Sequence, residues 1–377
     1  MKKKILFVND EMTMGGVARV LNTLLKMIDK DKYDVDLLVL HKRGELLREI
    51  PKDVNVIAGT SFFNTIDIPL KQCKGKQLFS KISLLLYMKT GLIRYKIQIE
   101  RKKFLNKQYD IEFAAKEGFC TIFSAFGDSK KKINWVQADY RESNYSSNHM
   151  KLVREALKKI DMNIACSDKV MESYIEVFDV KRICVIHNLI DEDRIRKMSY
   201  EKTNIKVDNN KINLITVARF HKQKGLDRLL CAYAKLKDYY KLVVIGDGEL
   251  KEKLYAQAKK LNCFDEIEWL GIKSNPYPDV RKSELFVMSS LYEGYPTMTI
   301  ESLVCGTPVL TTKVAGVDEQ ITDGCGWIVD NSQDGLFDKL NELKESKKTL
   351  LTYKRKLNDY HYDNNSILKS YYKIFED

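Results

Sequence analysis

Residues 285–312 read LFVMSSLYEGYPTMTIESLVCGTPVLTT, and this stretch decides how the second half of the chain folds. Its first apolar run, residues 285–289, suits a buried strand that a Gly- and Pro-bearing loop ends. The apolar spacing of residues 297–305 predicts a helix, and Gly306 ends it because glycine is a favourable C-cap. A second strand begins at residue 309. The stretch is therefore predicted to be a β-loop-α-turn-β unit.

Two glutamates stand out in this unit. Glu293 lies in the predicted loop, and Glu301 follows eight residues later in the predicted helix. Between them lie the first backbone N–H groups of that helix, which form an anion site together with the helix dipole. Carboxylates accept hydrogen bonds from hydroxyls, so the arrangement suits a ligand with both phosphate and hydroxyls, such as a nucleotide sugar. The alternative is a surface glutamate followed by a capping-type glutamate.

Two cations follow an earlier predicted strand, residues 212–217. Arg219 and Lys224 are five residues apart across a turn, so both can converge on one anion. An Arg and a Lys at the carboxyl end of a strand suit a diphosphate. The alternative is a pair of ordinary surface cations. Gly246, which follows the next predicted strand at residues 241–245, marks a glycine turn into another helix.

The first half begins with a similar pattern. Residues 4–8 predict a strand, and Gly15 and Gly16 open an amphipathic helix, which together make a geometry that can cradle a phosphate. Neither G-x-G-x-x-G nor a P-loop is present, so dinucleotide and P-loop nucleotide sites are disfavoured. A further strand at residues 33–40 gives a strand-helix-strand order, which predicts a parallel sheet.

The glutamate stretch resembles the E-x7-E signature of family-4 glycosyltransferases. Further landmarks resemble the same family in the same order along the chain: VARFHKQKGLD at 217–227, GDGE at 246–249, IEWLG at 267–271 with NPYP at 275–278, and VAGVDE at 314–319 with GCGWIV at 324–329. The resemblance spans nearly the whole chain and is strongest over residues 212–329. It implies the α/β fold called GT-B, in which two Rossmann-like parallel-sheet domains face each other across a cleft.

The resemblance also implies a division and a reaction. Residues 1–190 would form an acceptor-side domain, residues 191–355 a nucleotide-sugar-binding domain, and residues 356–377 a helix that crosses back to the first domain. The enzyme would transfer a hexose-type sugar, with retained anomeric configuration, from a nucleotide diphosphate donor. A UDP-sugar is favoured as donor. The acceptor would be a hydroxyl of a saccharide, with a lipid-linked acceptor as one option, in bacterial surface polysaccharide synthesis.

The family's functional residues map onto matching positions of this sequence. In that mapping Arg219 and Lys224 neutralise the departing diphosphate, Glu293 holds hydroxyls of the donor sugar, and Glu301 holds the ribose hydroxyls. Donor binding is expected from Gly15, Gly16, Arg219, Lys224, Gly246, Ile272, Glu293, Gly294, Tyr295, Pro296, Thr297 and Glu301. No cofactor is expected. No metal is expected either. The D-x-D at residues 34–36 lies inside a predicted strand of the first domain, and the D-x-D triplets at 29–31 and 191–193 have the character of turn acids.

Gln137 is a departure from the family pattern. In related sequences a histidine usually follows the strand that ends here in WVQAD, at residues 135–139. Glutamine cannot transfer protons, although its amide can donate and accept hydrogen bonds. Gln137 therefore either orients a substrate in the catalytic site, or Asp139 takes the histidine's place, or the match is displaced. His149 is interpreted as a loop histidine.

Charge is concentrated in the first half of the chain. The net charge is +12, and residues 1–190 hold 34 Lys and Arg against 23 Asp and Glu. Residues 69–107 carry eleven Lys and Arg and one acid around the apolar run 82–88. This composition is typical of a basic amphipathic helix that contacts an anionic membrane surface. The alternative is that the run packs in the core and the lysines are solvated. No nucleic-acid motif is present.

The sequence also bears on where the protein acts in the cell and on which other functions it could have. The apolar run at the N-terminus is four residues long, and no apolar run approaches the length of a membrane span. A cytoplasmic protein is expected, with peripheral attachment to the inner face of the membrane as an option. The rival functions are a phosphorylase of the same fold, a nicotinamide-dependent epimerase or dehydrogenase, and a membrane-associated GT-B scaffold with weak or no activity.

Overall fold

The structure is a computed structural model that describes residues 2–142 and 146–377. The chain forms two compact units, which we call unit 1 (Met1–Leu189 with Asn364–Asp377) and unit 2 (Ile190–Asp363). The sequence had placed the first boundary one residue later and the last at residue 355. In the structure residues 356–363 belong to unit 2, and the chain returns to unit 1 only from Asn364.

Unit 1 alternates strands and helices. Its strands are β1 (Lys3–Asn9), β2 (Tyr33–Val39), β3 (Asn55–Ala58), β4 (Ile111–Ala114), β5 (Lys131–Val136), β6 (Met162–Ala165) and β7 (Ile183–Val185). Its helices are α1 (Gly16–Met27), α2 (Lys76–Thr90), α3 (Ile93–Arg101), α4 (Phe119–Ala125), α5 (Ser147–Leu157), α6 (Asp168–Phe178) and a C-terminal helix (Asn364–Glu376).

The strands of unit 1 form one parallel sheet in the order β3-β2-β1-β4-β5-β6-β7 among the described residues. The buried residues of its central strands β1, β4 and β5 are mostly apolar, as expected where helices cover both faces of a parallel sheet. The order turns back between β1 and β4, and in such sheets ligands bind beyond the carboxyl ends of strands near that turning point.

The C-terminal helix packs against the sheet of unit 1 through aromatic rings. Tyr371 lies edge-on to Trp135 on β5, with ring centroids 6.1 Å apart, and Phe375 lies 6.2 Å from Phe113 on β4. Ile374 completes the buried face together with these two residues of the helix. This spacing of apolar residues explains why the last segment is helical and why it belongs to unit 1.

Unit 2 repeats the alternation with one strand fewer. Its strands are β8 (Ile212–Val217), β9 (Tyr240–Ile245), β10 (Ile267–Gly271), β11 (Leu285–Met288), β12 (Val309–Thr312) and β13 (Gly326–Val329). Its helices are α7 (Glu192–Ser199), α8 (Leu226–Ala234), α9 (Lys251–Lys260), α10 (Tyr277–Lys282), α11 (Thr297–Val304), α12 (Gln333–Leu343) and α13 (Lys347–Lys356).

The strands of unit 2 form a second parallel sheet in the order β10-β9-β8-β11-β12-β13. The predicted β-loop-α-turn-β unit is confirmed as β11, α11 and β12. The order again turns back, here between β8 and β11, so the loops that follow β8, β9 and β11 leave neighbouring strands at one edge. These are the loops that carry the landmarks found in the sequence.

Several sequence expectations were incomplete. The sequence predicts one helix over residues 336–353, whereas the structure has two, α12 and α13. It also predicts a linker from residues 187–191 through the polar run 199–210, and the unpredicted helix α7 lies within that segment. Helices α4 and α6 were also missed; α4 is buried on all sides, so its sequence has no amphipathic period. His149 lies in α5 and not in a loop, and burial lowers its pKa to about 4. None of the helices described here is both long enough and apolar enough to cross a bilayer.

Candidate functional site

The carboxyl edge of the sheet in unit 2 gathers most of the residues that the sequence singled out. Arg219 and Lys224 lie in the turn after β8, Gly246 follows β9, and Glu293 lies in the loop after β11. Since β9, β8 and β11 are consecutive in the sheet, these loops are neighbours. The edge therefore has the position that ligands occupy in parallel α/β sheets.

Glu293 and Lys224 form an ion pair at this edge. The Lys224 Nζ lies 2.6 Å from the Glu293 Oε1, and the Ser290 hydroxyl donates to the same oxygen at 2.7 Å. Gln223 donates from its Nε2 to the main-chain oxygen of Tyr292 at 3.0 Å, which ties the β8 turn to the β11 loop. Ser290 and Gln223 were not singled out in the sequence. The signal in the sequence that could have identified them is their position close to the motif residues Lys224 and Glu293.

Arg219 has a different environment. Its side chain is exposed, and no hydrogen bond or ion pair joins it to another of the described residues. Arg219 and Lys224 therefore do not share a protein partner: Lys224 is held by Glu293, whereas the Arg219 guanidinium points into solvent with its donors open. A guanidinium in this state retains its full capacity to bind a phosphate.

Glu301 projects from α11 into the protein interior. The residue is 4% exposed, and its Oε2 is buried with no hydrogen-bond partner among the described residues. Leaving such an acceptor without a donor costs roughly 1–3 kcal/mol, and more for a charged group. Several buried side-chain atoms lack a partner among the described residues, and this is the one carboxylate oxygen among them. Because a charged acceptor is costly to leave without a donor, a hydroxyl from outside the chain would be stabilising here.

The start of α11 lies between the two glutamates. Its N-cap residue is Pro296, which provides no side-chain cap, so none of the first N–H groups is bonded to the N-cap side chain. The main-chain oxygen of Pro296 accepts hydrogen bonds from Thr299 and Gln320, which fixes the approach to the helix. Thr297 is half-buried at the first helical position. The arrangement supplies backbone donors and the positive end of a helix dipole.

Other predicted donor-binding residues occupy varied positions. Tyr295 is buried, and its hydroxyl lies 3.1 Å from that of Tyr362; Gly294 is buried beside it. Ile272 is 75% exposed immediately after β10. Gly246 has a φ of +141°, and a Cβ there would lie 1.9 Å from the main-chain oxygen of Ala218. The glycine at 246 is thus required by the close approach of the β8 and β9 loops.

Gly15 and Gly16, in unit 1, differ from Gly246. Gly15 is extended, with a φ of −175°, and a Cβ on Gly16 would meet nothing within 4 Å. Neither the backbone conformation nor the packing of the described residues requires glycine here. Small residues at the uncapped start of α1 leave room for a ligand to approach the backbone.

Gln137 lies just beyond the carboxyl end of β5. Its side-chain amide pairs reciprocally with that of Asn188, with both N···O distances at 3.0 Å. Its main-chain N–H donates to the Oε2 of Glu117 at 2.9 Å, and burial raises the pKa of the Glu117 carboxyl. The sequence did not single out Glu117 or Asn188. A glutamate directly after β4, a neighbour of β5, was the signal that could have found the first.

A second ion pair lies beside Glu117. The Lys116 Nζ is 2.5 Å from the Asp10 Oδ2, at the end of β1. Burial works against the charge on Lys116, but attraction and hydrogen bonding to Asp10 outweigh it and raise the pKa of Lys116. Asp139, the alternative to a catalytic histidine, accepts two hydrogen bonds from one edge of the Arg141 guanidinium, through Nε and Nη2, and these outweigh burial and lower the pKa of Asp139. Asp139 is therefore a stable anion, which makes it a weak base.

Comparison with known proteins indicates which class of protein this chain resembles. Residues 199–360 match the family described as glycosyl transferases group 1. An N-acetylgalactosaminyltransferase of Campylobacter jejuni, which acts on N-acetylgalactosamine-N,N'-diacetylbacillosaminyl-diphospho-undecaprenol, is 27% identical over 355 residues, covering 91% of this chain and 90% of that protein. These matches support a glycosyltransferase. The N-acetyl-α-D-glucosaminyl L-malate synthase of Bacillus anthracis is 28% identical over 46% of this chain and 47% of its own length.

Solved structures agree with the fold of this chain. HepE of Anabaena, solved with UDP-glucose, has a TM-score of 0.70 at 17% identity, with 99% of each chain covered. TarM has a TM-score of 0.72 at 14% identity, with 100% of this chain and 99% of TarM covered. At such identities the likeness concerns the fold alone. Together with the two parallel sheets, it confirms the predicted α/β fold of two Rossmann-like domains of the GT-B type.

Proposed function

We propose that this glycosyltransferase moves a hexose-type sugar from a UDP-sugar to a hydroxyl of a saccharide acceptor, with retention of anomeric configuration. The Campylobacter relative supports an acceptor that is linked to a lipid, since its name specifies a diphospho-undecaprenol-linked saccharide. The solved complex of HepE with UDP-glucose supports a uridine nucleotide as the donor. Synthesis of a bacterial surface polysaccharide is the process that fits such an acceptor.

The observation that carries the proposal is the buried Oε2 of Glu301, which has no partner among the described residues. A carboxylate oxygen in that state is best satisfied by a hydroxyl, and a ribose presents two adjacent hydroxyls. Glu301 therefore binds the ribose of the donor nucleotide. A structural glutamate would have been expected to find a donor within the protein.

The cations at the same edge stabilise the leaving group. When the bond between the anomeric carbon and the diphosphate oxygen breaks, negative charge develops on the diphosphate, close to Arg219, Lys224 and the N–H groups at the start of α11. When the donor binds, Lys224 forms an ion pair with a phosphate in place of Glu293. Glu293 then accepts hydrogen bonds from hydroxyls of the donor sugar. Electrostatic stabilisation of this kind is worth on the order of 3 kcal/mol per donor group. The acceptor oxygen forms the new bond to the anomeric carbon, and its proton is released.

Gln137 orients and does not transfer protons. Its amide, already held by Asn188, can exchange one hydrogen bond for a substrate hydroxyl, which suits a positioning role in the catalytic site. Gly15 and Gly16 leave space for the donor phosphate to approach the start of α1. We also propose that catalysis needs no divalent metal and no cofactor. Asp36 of the D-x-D is committed to the Tyr109 hydroxyl and to Lys107 inside the sheet, so this pair of acids does not form a metal site.

A panel of nucleotide sugars tests the proposal. The purified protein is heated with UDP-, GDP- and dTDP-sugars, and release of the nucleoside diphosphate is measured in parallel. A UDP-sugar at a hundredfold excess over its Kd should stabilise the fold by about 2.7 kcal/mol. The Glu301→Gln variant, which removes one acceptor oxygen, is the control and should show a reduced shift. If no nucleotide sugar raises the melting temperature, the donor site is wrong and a scaffold without activity becomes the better account.

Finally, we propose that the enzyme works at the periphery of a membrane, on its cytoplasmic face. A lipid-linked acceptor is confined to the bilayer, so an enzyme that stays at the surface meets it far more often than one that diffuses freely. The charge excess of the first half supports this location because the surface of that leaflet is anionic.

A further inference from the structure

Exposed apolar side chains are concentrated on two consecutive helices of unit 1. Among the described residues, eight of the fourteen large apolar side chains that are exposed fall between residues 70 and 99. They are Leu70, Phe79, Ile82, Leu85, Leu86, Leu92, Tyr95 and Ile99. Single exposed apolar residues are ordinary, but a contiguous group on one surface marks an interaction site.

The spacing of these residues places them in rows. On α2, Phe79, Ile82 and Leu86 follow the i, i+3, i+7 pattern of one helix face, and Phe79 is 76% exposed. The other side of α2 is also apolar: Leu84 and Met88 are buried in unit 1. A surface helix normally turns polar residues to water, so an apolar outer row on α2 has no structural purpose within the chain.

Helix α3 repeats this arrangement. Leu92, Tyr95 and Ile99 have the same spacing and are exposed, while Ile93 and Ile97 are buried on the other side. The sequence left open whether the apolar run at 82–88 packs in the core or contacts a membrane. The structure divides the run, because some of its residues fill the core and others lie outside.

The charges around these rows are all of one sign. The exposed charged residues of the stretch 69–107, all of which the structure describes, are Lys71, Lys74, Lys76, Lys89, Arg94, Lys102 and Lys103. The single acid, Glu100, is 2% exposed and accepts hydrogen bonds from Thr60 and Lys103, with Lys96 as a further ion-pair partner. Within residues 69–107 the surface is therefore apolar in its rows and cationic around them, and the exposed Asp128 pairs with Arg101 at the end of α3.

Lys81 does not belong to this surface, although the sequence groups it with the other lysines. Its ammonium is buried and donates to the main-chain oxygens of Thr65 at 2.7 Å and Ile66 at 3.3 Å. These hydrogen bonds hold α2 against the turn that contains Thr65 and Ile66. Replacing Lys81 would disturb the fold, so it must be left intact in any test of the surface.

We propose that this surface, the outer rows of α2 and α3 with their exposed lysines and arginine, docks the enzyme on a bilayer that contains anionic phospholipid. The proposal rests on the proposed function in one respect, that the acceptor is lipid-linked. The apolar rows enter the region between headgroups and acyl chains, while the cations attract the anionic headgroups and keep their charged ends in the aqueous layer.

Charge and side-chain type argue against other occupants. A second copy of the same surface would bring two sets of cations together with no exposed acid from residues 69–107 on either side, so self-association through it is disfavoured. A single-stranded nucleic acid stacks its bases on flat rings, whereas six of the eight exposed apolar side chains are aliphatic and only Phe79 and Tyr95 are aromatic. Both attraction to anionic lipid and burial of aliphatic side chains are satisfied at a bilayer surface.

Co-sedimentation with vesicles tests the role of charge. The full-length protein should bind vesicles of phosphatidylcholine with phosphatidylglycerol at low salt, bind phosphatidylcholine alone poorly, and dissociate as salt is raised. The triple variant Lys74→Glu, Lys76→Glu, Lys89→Glu should bind about 100-fold more weakly, since each lysine contributes about fivefold. The matched control, Lys42→Glu, Lys52→Glu, Lys181→Glu, changes the net charge equally through exposed lysines elsewhere in unit 1 and should bind within about tenfold of wild type.

A second pair of variants tests the apolar rows. Phe79→Ser with Leu86→Ser should lower vesicle binding at least about tenfold, because burial of both side chains is lost. Ile175→Ser with Leu351→Ser, which are exposed apolar residues outside the surface, is the control and should bind as wild type. In addition, the fluorescence of a Phe79→Trp variant should shift to the blue with anionic vesicles, because the new indole enters an apolar layer.

The outcomes separate this proposal from the proposed function. If wild type ignores anionic vesicles at low salt, or if the test and control variants lose equal affinity, the docking surface is wrong. The donor site would stand in that case if UDP-sugars still stabilise the protein. Dimerisation in sedimentation velocity that Phe79→Ser with Leu86→Ser abolishes would also overturn the proposal. Vesicle binding with the expected variant pattern but no response to any nucleotide sugar would keep the surface and overturn the function.

Discussion

The two parallel sheets end in edges of different character. At the carboxyl edge of unit 1, charged and polar groups are mostly paired with each other, Lys116 with Asp10 and Gln137 with Asn188, although the buried Oδ1 of Asn9 has no partner among the described residues. At the same edge of unit 2, Lys224 pairs with Glu293 and Lys251 with Asp247. The groups left open there are charged: the exposed Arg219 side chain and a buried oxygen of Glu301 have no hydrogen-bond or ion-pair partner among the described residues.

This difference indicates where the chain is prepared for a charged ligand. Polar groups that satisfy each other stabilise the fold and hold loops in place, whereas groups left open retain their interaction energy for something else. The edge of unit 1 has the properties of a positioning surface, and the edge of unit 2 has those of a binding site. The variants below test this contrast, beginning with the largest expected effect.

Removing the open cation of unit 2 should be the most damaging change to catalysis. We expect Arg219→Ala to lower kcat about 100- to 1000-fold, since it removes a donor that meets the charge of the leaving group. The fold should keep its stability because the Arg219 side chain is exposed and forms no hydrogen bond or ion pair with the described residues. Steady-state rates with the best donor of the panel, together with urea unfolding, measure both quantities.

Lys222→Ala is the matched control for that prediction. Lys222 is exposed in the same turn, two residues before Lys224. Its replacement should leave kcat within about twofold of wild type. Equal losses in the two variants would mean that the turn needs positive charge in general, and that Arg219 has no special position.

The glycines provide a comparison of stability with activity. Gly246→Ala should lower the free energy of unfolding by about 1–3 kcal/mol, because its φ of +141° and the Ala218 oxygen leave no room for a Cβ. Gly16→Ala should keep or raise it, by up to about 1 kcal/mol, since alanine favours the helix that begins there. If the donor phosphate approaches Gly16, that same variant should lose activity while it gains stability. Unchanged rates for Gly16→Ala would remove unit 1 from the donor site.

Local patterns in the sequence were sufficient for much of the unit 2 edge. Arg219, Lys224 and Glu293 lie in the segments that follow apolar runs predicted as strands, and Glu301 lies in the predicted helix after one of these segments. Parallel strands bring their carboxyl ends to one edge of the sheet. The pairing of Lys224 with Glu293 could not be predicted, because it joins residues that are far apart in the chain. It depends on the order of strands, which no local pattern contains.

Unit 1 was harder to predict for the same physical reason. The role of Glu117 depends on its hydrogen bond from the Gln137 main chain, which lies just beyond β5, the neighbouring strand of the sheet. Lys81 has the composition of a surface lysine, and only the turn at Thr65 and Ile66 shows that it is buried. Helix α4 was missed because burial on every side removes the periodicity by which helices are recognised.

The smallest expected effect is that of removing metal ions. Activity should be unchanged within error after treatment with EDTA, because cations of the chain stand where a metal would balance the diphosphate. The acids of the D-x-D do not compete for that role, since Lys107 pairs with both Asp34 and Asp36. Rates with EDTA and after added manganese are the measurement. Loss with EDTA and recovery with manganese would contradict the metal-independent account of this edge.

Binding of UDP to wild type and to Glu301→Gln tests the central claim most directly. Calorimetric titrations with UDP and with 2′,3′-dideoxy-UDP form a cycle in which the protein carboxylate and the ribose hydroxyls are removed separately and together. The account predicts that wild type prefers UDP about 10- to 100-fold over the dideoxy compound, and that Glu301→Gln loses this preference. If Glu301→Gln binds UDP as tightly as wild type and keeps the preference, Glu301 does not hold the ribose and the proposed donor site is wrong.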